Sequence, residues 1–484
     1  MPDAETYVPR FPPYGHQIEA LRRLEGQEAF ALFMEMRTGK TKVTLDDFGR
    51  LELAGKAQDL MVIAPGGVYR TWARAAADHL SSDLLSRAAI QVWESGASAT
   101  KARRLKAFLE ARDRPRIFLV NVEALSSVKA AREASLAFLG ARKSVLVVDE
   151  STIIKSPSAK RTKFINRDLA SLADYRRILS GLPSPKSPLD IYSQFEFLDW
   201  RILGFRSFYA FRARYAEMWT ADYGGRSVPI VKGFRDLEDL QRRIAPSTFR
   251  WLLKDCYDLP PKAYMIREVE LTPDQKRIYA EMRDTATAQL SATDHATATV
   301  VIAQILRLHQ ILCGHITDEN GVAHEIPENR TRELLSLLED YAGKAIVWCS
   351  YDRDVQKVAA ALAEDYGEGS VARFWGGNKS TREAEEARFL KDPECRWMVA
   401  TAAAGGRGRT WTVADLTVYF SNTADLEHRS QSEERTQGVG KDAPCTYVDL
   451  MVPGTVDEKM INALRAKIDL STAVTGDGYK EWLI

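Results

Sequence analysis

The chain has no excess of either charge. Its 67 Lys and Arg residues against 66 Asp and Glu give a formal charge of +1, which excludes a polybasic protein whose entire surface binds nucleic acid. A basic groove on one face stays open, because net charge averages over faces. Cysteine is scarce and scattered. Cys256, Cys313, Cys349, Cys395 and Cys445 form no C-x-x-C pair, so neither a disulfide framework nor a zinc site is expected. They read as small buried residues of a protein in a reducing compartment, the cytoplasm. Long hydrophobic runs are missing too. The most apolar stretch, residues 296–312, carries Gln304, Arg307, His309 and Gln310 and is too short and too polar to span a bilayer. No basic segment followed by an apolar one occurs in residues 1–13, so no signal peptide is read there. The seven histidines show no metal-ligand spacing, and His309 and His315 read as ordinary surface or partly buried residues.

What is present is an ordinary globular composition, 45 % hydrophobic and 27 % charged over 484 residues, enough for two to four domain-sized units. Short apolar runs alternate with helical patterns in the first 180 residues. Leu60 to Ala64, Ile117 to Val120, Val145 to Val148 and Ile178-Leu179 are such runs, and runs without alternation predict strands buried on both faces of a parallel sheet. The same grammar returns at Ala345 to Trp348, Trp397 to Ala400, Val418 to Phe420 and Tyr447 to Leu450. Between the blocks, Phe195, Phe197, Phe208, Tyr209, Phe211 and Tyr215 recur at helical spacing, and Asp274 to Leu312 is helix-like. Leu259-Pro260-Pro261 is the hinge candidate, since proline restricts the chain on both sides.

Gly39-Lys40-Thr41 follows the apolar stretch Phe30 to Met34 and precedes a helical segment. In a phosphate loop, N–H groups at a helix start surround phosphate oxygens, Lys neutralises them and Ser/Thr holds Mg²⁺. The full G-x-x-x-x-G-K-[ST] pattern fails, because Met34 occupies the first glycine position. Asp149-Glu150 ends the run Val145 to Val148, at the strand edge where an open α/β sheet binds ligands. Asp there can hold the Mg²⁺ shell while Glu positions and deprotonates a water. Together the two segments point to a nucleotide hydrolase.

The ordered set of segments resembles the SNF2-like family of superfamily 2 helicases and DNA translocases, in the compact form found in bacteriophages and bacteria. Tyr14-Gly15-His16-Gln17 resembles the glutamine motif, and Glu35 to Thr41 the SNF2 phosphate loop, which lacks the first glycine. Val62-Ile63-Ala64-Pro65 with Trp72 resembles motif Ia. Val148 to Lys155 resembles the DEAH-x-x-K segment, and Leu179-Ser180-Gly181-Leu182-Pro183 motif III. Thr401 to Gly408 resembles motif V, Gln431 to Arg435 the start of motif VI, and Gly454 to Lys459 the GT-x-EEK tail.

The resemblance implies an α/β fold: two RecA-like parallel-sheet lobes in tandem, with helical protrusions between them. The first lobe is expected over residues 1–260, with a protrusion at about 185–255, and the second over 261–484, with a protrusion at about 272–340. It implies ATP and Mg²⁺ as cofactors, and as partner double-stranded DNA, branched forms included. It further implies a monomer that does not engage membranes. Gln17 would contact the adenine edge, and Thr38, Gly39, Lys40 and Thr41 the phosphates, Thr41 with Asp149 also holding Mg²⁺. Asp149, Glu150 and Arg435 would be catalytic, with Arg435 stabilising charge on the γ-phosphate. Gly405, Gly406, Gly408 and Gln431 would line the nucleotide from the second lobe. Pro65, Gly66, Lys155, Thr401, Trp375 and Gly376 would face DNA, mostly through phosphates, and a positive track is expected along them. Trp72 and Trp375 read primarily as packing residues.

The match breaks at the coupling positions. Gly438 stands where motif VI has its second arginine and Lys441 where it has its last glutamine. Arg37 replaces a phosphate-loop glycine, Leu182 a motif III threonine, Thr152 the motif II histidine, and Arg409-Thr410-Trp411 the Leu-Asn-Leu after motif V. A duplex DNA translocase is the first expectation. A strand-separating or fork-remodelling helicase, and a weakened ATPase acting as a nucleotide-sensitive DNA clamp, are the alternatives.

Overall fold

Every strand of the two large sheets runs parallel to its neighbours, so each sheet gathers all its strand C-termini on one edge. The computed structural model describes residues 7–96, 98–223, 226–256, 262–292, 298–317, 322–405, 410–423, 425–437, 441 and 444–475. Two compact units are formed. The first runs to Glu217, resumes over Gly233–Asp258 and takes up the chain again from Leu470; the second takes Met218–Lys232 and Leu259–Asp469. The hinge candidate Leu259-Pro260-Pro261 lies outside the described residues.

The first unit is built on β1 (Ala29–Met34), β2 (Asp59–Ala64), β3 (Ala89–Val92), β4 (Arg116–Asn121), β5 (Ser144–Asp149) and β6 (Tyr175–Leu179). Next in the chain comes a two-stranded ribbon, β7 (Ala216–Tyr223) and β8 (Arg226–Phe234), most of which belongs to the second unit. Then β9 (Thr248–Trp251) returns to complete a seven-stranded sheet in the order β3-β4-β2-β5-β6-β1-β9. The second unit contains β10 (Lys262–Glu268), a small antiparallel ribbon of β11 (His315–Thr317) and β12 (Ala323–Glu325), β13 (Lys344–Cys349), β14 (Val371–Phe374), β15 (Trp397–Thr401), β16 (Ala414–Tyr419) and β17 (Cys445–Met451). Its six-stranded sheet has the order β10-β17-β16-β13-β15-β14. Helices cover both faces, as a parallel sheet demands. In the first unit one core lies on the face of Phe33, Met61, Phe118 and Leu146, and another on the face of Phe30, Leu32, Leu60 and Val62. This is the α/β architecture of two parallel-sheet lobes with helical insertions. The insertion after β6 is not wholly helical: beside helices Ile191–Leu203 and Phe208–Tyr215 it carries the β7–β8 ribbon and β9.

Buried charge fixes the register at the edge opposite the C-terminal one. Asp59 and Arg116 open β2 and β4 and face each other in register. Arg116, fully buried, donates two hydrogen bonds to the Asp59 carboxylate at 3.0 and 2.5 Å. Arg142 donates to the same carboxylate at 2.5 Å. In the second unit the histidine expectation is corrected. His309 and His315 are both buried; His309 bonds the Tyr351 hydroxyl at 2.8 Å and lies 3.4 Å from Asp457, and His315 lies 3.4 Å from Asp354. Arg330, fully buried, completes this network on Asp457. The helix Ala298–Leu312 is thereby tied through polar groups to Tyr351, after β13, and to the helix Val456–Thr475, which an apolar count of its sequence does not reveal. The five cysteines are free thiols, and among the described residues no helix is long and apolar enough to cross a membrane.

Removing one member of a buried, hydrogen-bonded ion pair leaves the other uncompensated. Asp59→Leu is therefore expected to lower the stability of the first unit by about 3–5 kcal/mol, read as a shift in the urea midpoint. An unchanged midpoint would show that the pair contributes nothing.

Candidate functional site

The C-terminal edge of the first sheet brings four sequence segments together, because β1, β2, β5 and β6 end there side by side. β1 runs into the loop Glu35–Gly39, which enters the helix Lys40–Leu53. Gly39 is the N-cap of that helix in the left-handed region, φ +88°, and no side chain caps it. The N–H groups of the first turn are thus left for an anion. Arg37 is also left-handed, φ +67°, which explains why the family pattern favours glycine there and shows that this chain tolerates the strain.

Lys40 is buried, and its Nζ donates to the carbonyls of Met34 (2.6 Å) and Glu35 (3.0 Å). Among the described residues no carboxylate lies within 4 Å of it. A buried ammonium held only by carbonyl dipoles is a charge that a phosphate would complement. Thr38 donates its hydroxyl to the Glu35 carbonyl at 2.8 Å. The glutamine-motif helix Gly15–Leu24 locks this loop from above: His16 Nε2 (2.7 Å) and Gln17 Nε2 (3.3 Å) both donate to the Thr38 carbonyl. Gln17 Oε1 accepts from the Tyr14 N–H at 3.0 Å, so both ends of this amide are engaged within the loop and its cap. From the other side, Glu35 accepts from the Leu253 N–H at 2.7 Å, and Arg250 donates to the carbonyls of Phe33 (3.1 Å) and Gly181 (2.9 Å).

Asp149 ends β5 and is buried. Burial pushes its carboxyl above the ordinary range, and the Trp72 indole and the Lys40 charge oppose that rise. Glu150 follows in the left-handed region at φ +50°, a conformation worth about 1–3 kcal/mol of strain in a non-glycine residue. That turn sends its N–H back to Asp149 Oδ1 at 3.0 Å. A polar carboxylate pair beside a buried lysine and an open helix N-terminus is the donor set that Mg²⁺ and a polyphosphate require, so these residues fit both. Thr41, half-buried on the first turn of the helix, and Asp149 are the residues that would hold the ion.

Two residues here were not singled out as functional from the sequence. Trp72, read as packing, is indeed buried but also donates from Nε1 to Asp149 Oδ2 at 2.8 Å. Gln194 bridges two motifs: Ser151 donates to its Oε1 at 2.6 Å, and its Nε2 donates to the carbonyls of Pro183 (2.7 Å) and Asp190 (2.9 Å). That bridge joins the Asp149-Glu150 turn to the segment after β6, the link for which Thr152 lacks the family's histidine. Neither contact has a local sequence signal, since each spans more than 40 positions.

The residues expected to face DNA differ in exposure. Gly66 is exposed and its N–H lies 3.4 Å from Glu123 Oε1, whereas Pro65 is buried beneath it. Lys155 is half-buried just beyond the Asp149-Glu150 turn. In the second unit, Thr401 ends β15, and Trp375-Gly376 follows β14 on the same edge. Gly376 is exposed, while Trp375 packs partly against the core.

Motif V and VI residues occupy that unit too. Gly405 is buried, and a Cβ there would meet Trp411 at 2.6 Å and Trp348 at 3.1 Å, so packing between two indoles alone demands glycine. Gly406 and Gly408 lie outside the described residues, as do Arg407, Arg409 and Gly438. Gln431 is buried, with no hydrogen-bond partner for its Oε1 among the described residues. Arg435 is buried, its Nε donating to the Gln431 carbonyl at 2.7 Å. The helix Leu426–Glu433 that carries Gln431 is anchored by Arg429, which pairs with Glu433 at 2.8 Å and Asp449 at 2.5 Å.

A family model, the SNF2-related domain, matches residues 16–316, more than half of the chain. The chain belongs to the SNF2-related family. Among curated proteins it is 25 % identical over 376 residues to the TATA-binding protein-associated factor mot1 of Aspergillus fumigatus, covering 68 % of this chain and 20 % of that protein. It is 24 % identical over 347 residues to the DNA annealing helicase and endonuclease ZRANB3 of Mus musculus, covering 70 % and 30 %. The chain thus spans a fifth to three tenths of the length of these relatives. Among solved structures, the Sulfolobus solfataricus SWI2/SNF2 ATPase core in complex with dsDNA aligns over 99 % of this chain and 96 % of that one, at 19 % identity and a TM-score of 0.42.

A Cβ on residue 39 would overlap the Gln17 amide and force a left-handed backbone on an L side chain. Gly39→Ala is expected to lower stability by about 1–3 kcal/mol, whereas Arg37→Gly should be neutral or stabilising. Chemical denaturation of the two variants checks both, and equal midpoints would contradict the assignment.

Proposed function

We propose that this SNF2-related chain is an ATP-dependent double-stranded DNA translocase or remodeller of the compact phage or bacterial type, acting in the cytoplasm. The observation that carries this is the buried ammonium of Lys40, which donates to the carbonyls of Met34 and Glu35 beside the buried carboxylate of Asp149. A buried ammonium at a helix N-terminus suits a nucleotide site. Family membership supports the same substrate.

In this reading the open first turn of the helix Lys40–Leu53 and the Lys40 ammonium receive the phosphates of ATP. Gln17 would exchange its bond to the Thr38 carbonyl for the adenine edge, which couples base recognition to the phosphate-loop backbone. Bound Mg²⁺ would neutralise charge on the β- and γ-phosphates. Glu150, turned out of the strand by its left-handed backbone, would orient the attacking water and take its proton. The Ser151–Gln194–Pro183 bridge would carry a shift of the Asp149-Glu150 turn to the segment after β6. Gln431 and Arg435 take the motif VI roles, and Gly66, Lys155, Thr401 and Gly376 the phosphate-backbone contacts to duplex DNA, branched forms included, by a monomer.

The missing second motif VI arginine, Gly438, favours one other reading, a slow ATPase that clamps DNA in a nucleotide-sensitive way. Phosphate release with and without duplex DNA separates the two. The motor predicts stimulation by duplex and a loss of at least about a hundredfold in Glu150→Gln. Equal, slow release by both proteins would end the motor reading, and Gly438→Arg should then raise turnover.

A further inference from the structure

Trp72 stands in the first turn of the helix Thr71–His79, which follows β2. β2 and β5 are neighbours, with Ile63 opposite Val148, so that turn lies close to the end of β5. The indole is 2 % exposed, and its Nε1 donates to Asp149 Oδ2 at 2.8 Å. The other carboxylate oxygen, Oδ1, accepts from the Glu150 N–H at 3.0 Å. The two donors come from different elements and hold one oxygen each. A carboxylate gripped in this way cannot rotate about its terminal torsion, which is otherwise broad and roughly two-fold. An indole N–H donates only, so it cannot itself ligate a cation and acts through the carboxylate.

We propose that Trp72 is a positioning residue for Asp149. Its N–H pins the plane of the carboxylate and leaves the remaining lone pairs ordered for the water shell of a divalent cation. This rests on the nucleotide reading above, in which Asp149 holds Mg²⁺. Groups that orient a metal ligand from behind typically govern metal affinity by about 10–100-fold. A residue that only filled space would be replaceable by any aromatic ring of similar bulk. Here the ring's N–H is what matters.

The test uses the full chain of residues 1–484, Mn²⁺ as a paramagnetic probe and ADP. Mn²⁺ binding in the presence of ADP is followed by electron paramagnetic resonance for wild type, Trp72→Phe and Trp72→His, with ADP binding alone measured in parallel. Phenylalanine keeps the ring and loses the donor. Histidine restores a donor, since its Nε2 sits the same number of bonds from Cβ as the indole Nε1. The expected result is an Mn²⁺ affinity weakened about 10–100-fold in Trp72→Phe and largely recovered in Trp72→His, with metal-free ADP affinity unchanged in all three. In ATP turnover the half-saturating Mg²⁺ should rise more than kcat falls. Wild-type affinity in Trp72→Phe would overturn the proposal. So would equal losses in both variants, which would mark Trp72 as packing alone. A wild-type protein that bound neither ADP nor Mn²⁺·ADP would instead remove the nucleotide reading on which the proposal stands.

Discussion

Parallel strand pairing is the constraint on which the rest depends. When all strands of a sheet point the same way, their C-terminal ends share one edge. In the first unit that edge collects the loop after β1, the turn after β2, Asp149 after β5 and the segment after β6. In the second it collects Thr401, Trp375-Gly376 and the helix carrying Gln431. A parallel sheet also needs both faces covered, so the helices return over it and bring Trp72 and Gln194 back to the edge. The candidate chemistry is thus a by-product of topology: residues more than 100 positions apart, Lys40 and Asp149 among them, become neighbours because their strands cannot end anywhere else.

The central strands were legible in the sequence and the edge strands were not. β2, β4, β5, β13, β15, β16 and β17 appear as apolar runs because neighbours and helices bury them on every side. Within the two large sheets, the strands without such a run are β3, β9, β10 and β14, which are their outermost strands. β3 is half-buried throughout, and β10 is mostly exposed. A strand with one neighbour needs no continuous apolar pattern, so periodicity has nothing to detect.

The site shows the same division. Lys40, Thr38 and the Asp149-Glu150 pair announce themselves because their spacing is local and their chemistry specific. Trp72 and Gln194 do not, since the hydrogen bond of Trp72 to Asp149 and that of Gln194 to Ser151 each span more than 40 positions. Glycine was ambiguous in both directions. Gly39 is required by its backbone and by Gln17, Gly405 by Trp348 and Trp411. The letter is the same and the physical reason differs. The histidines were misjudged because composition cannot distinguish a surface imidazole from one that Asp457 and Tyr351 accommodate indoors.

The return of β9 to pair with β1 has a consequence for how the protein is made. Glu35, at the start of the loop Glu35–Gly39, is held by the N–H of Leu253, 218 positions later. A ribosome adding about 5–20 residues per second exposes the loop roughly 10–40 s before its clamp exists. Lys40 waits through nearly all of that interval, and Asp149 through about its second half, without the strand that closes the sheet beside them. Maturation of the site is thereby scheduled by translation: the loop is written first and is fastened only after the rest of its sheet has emerged.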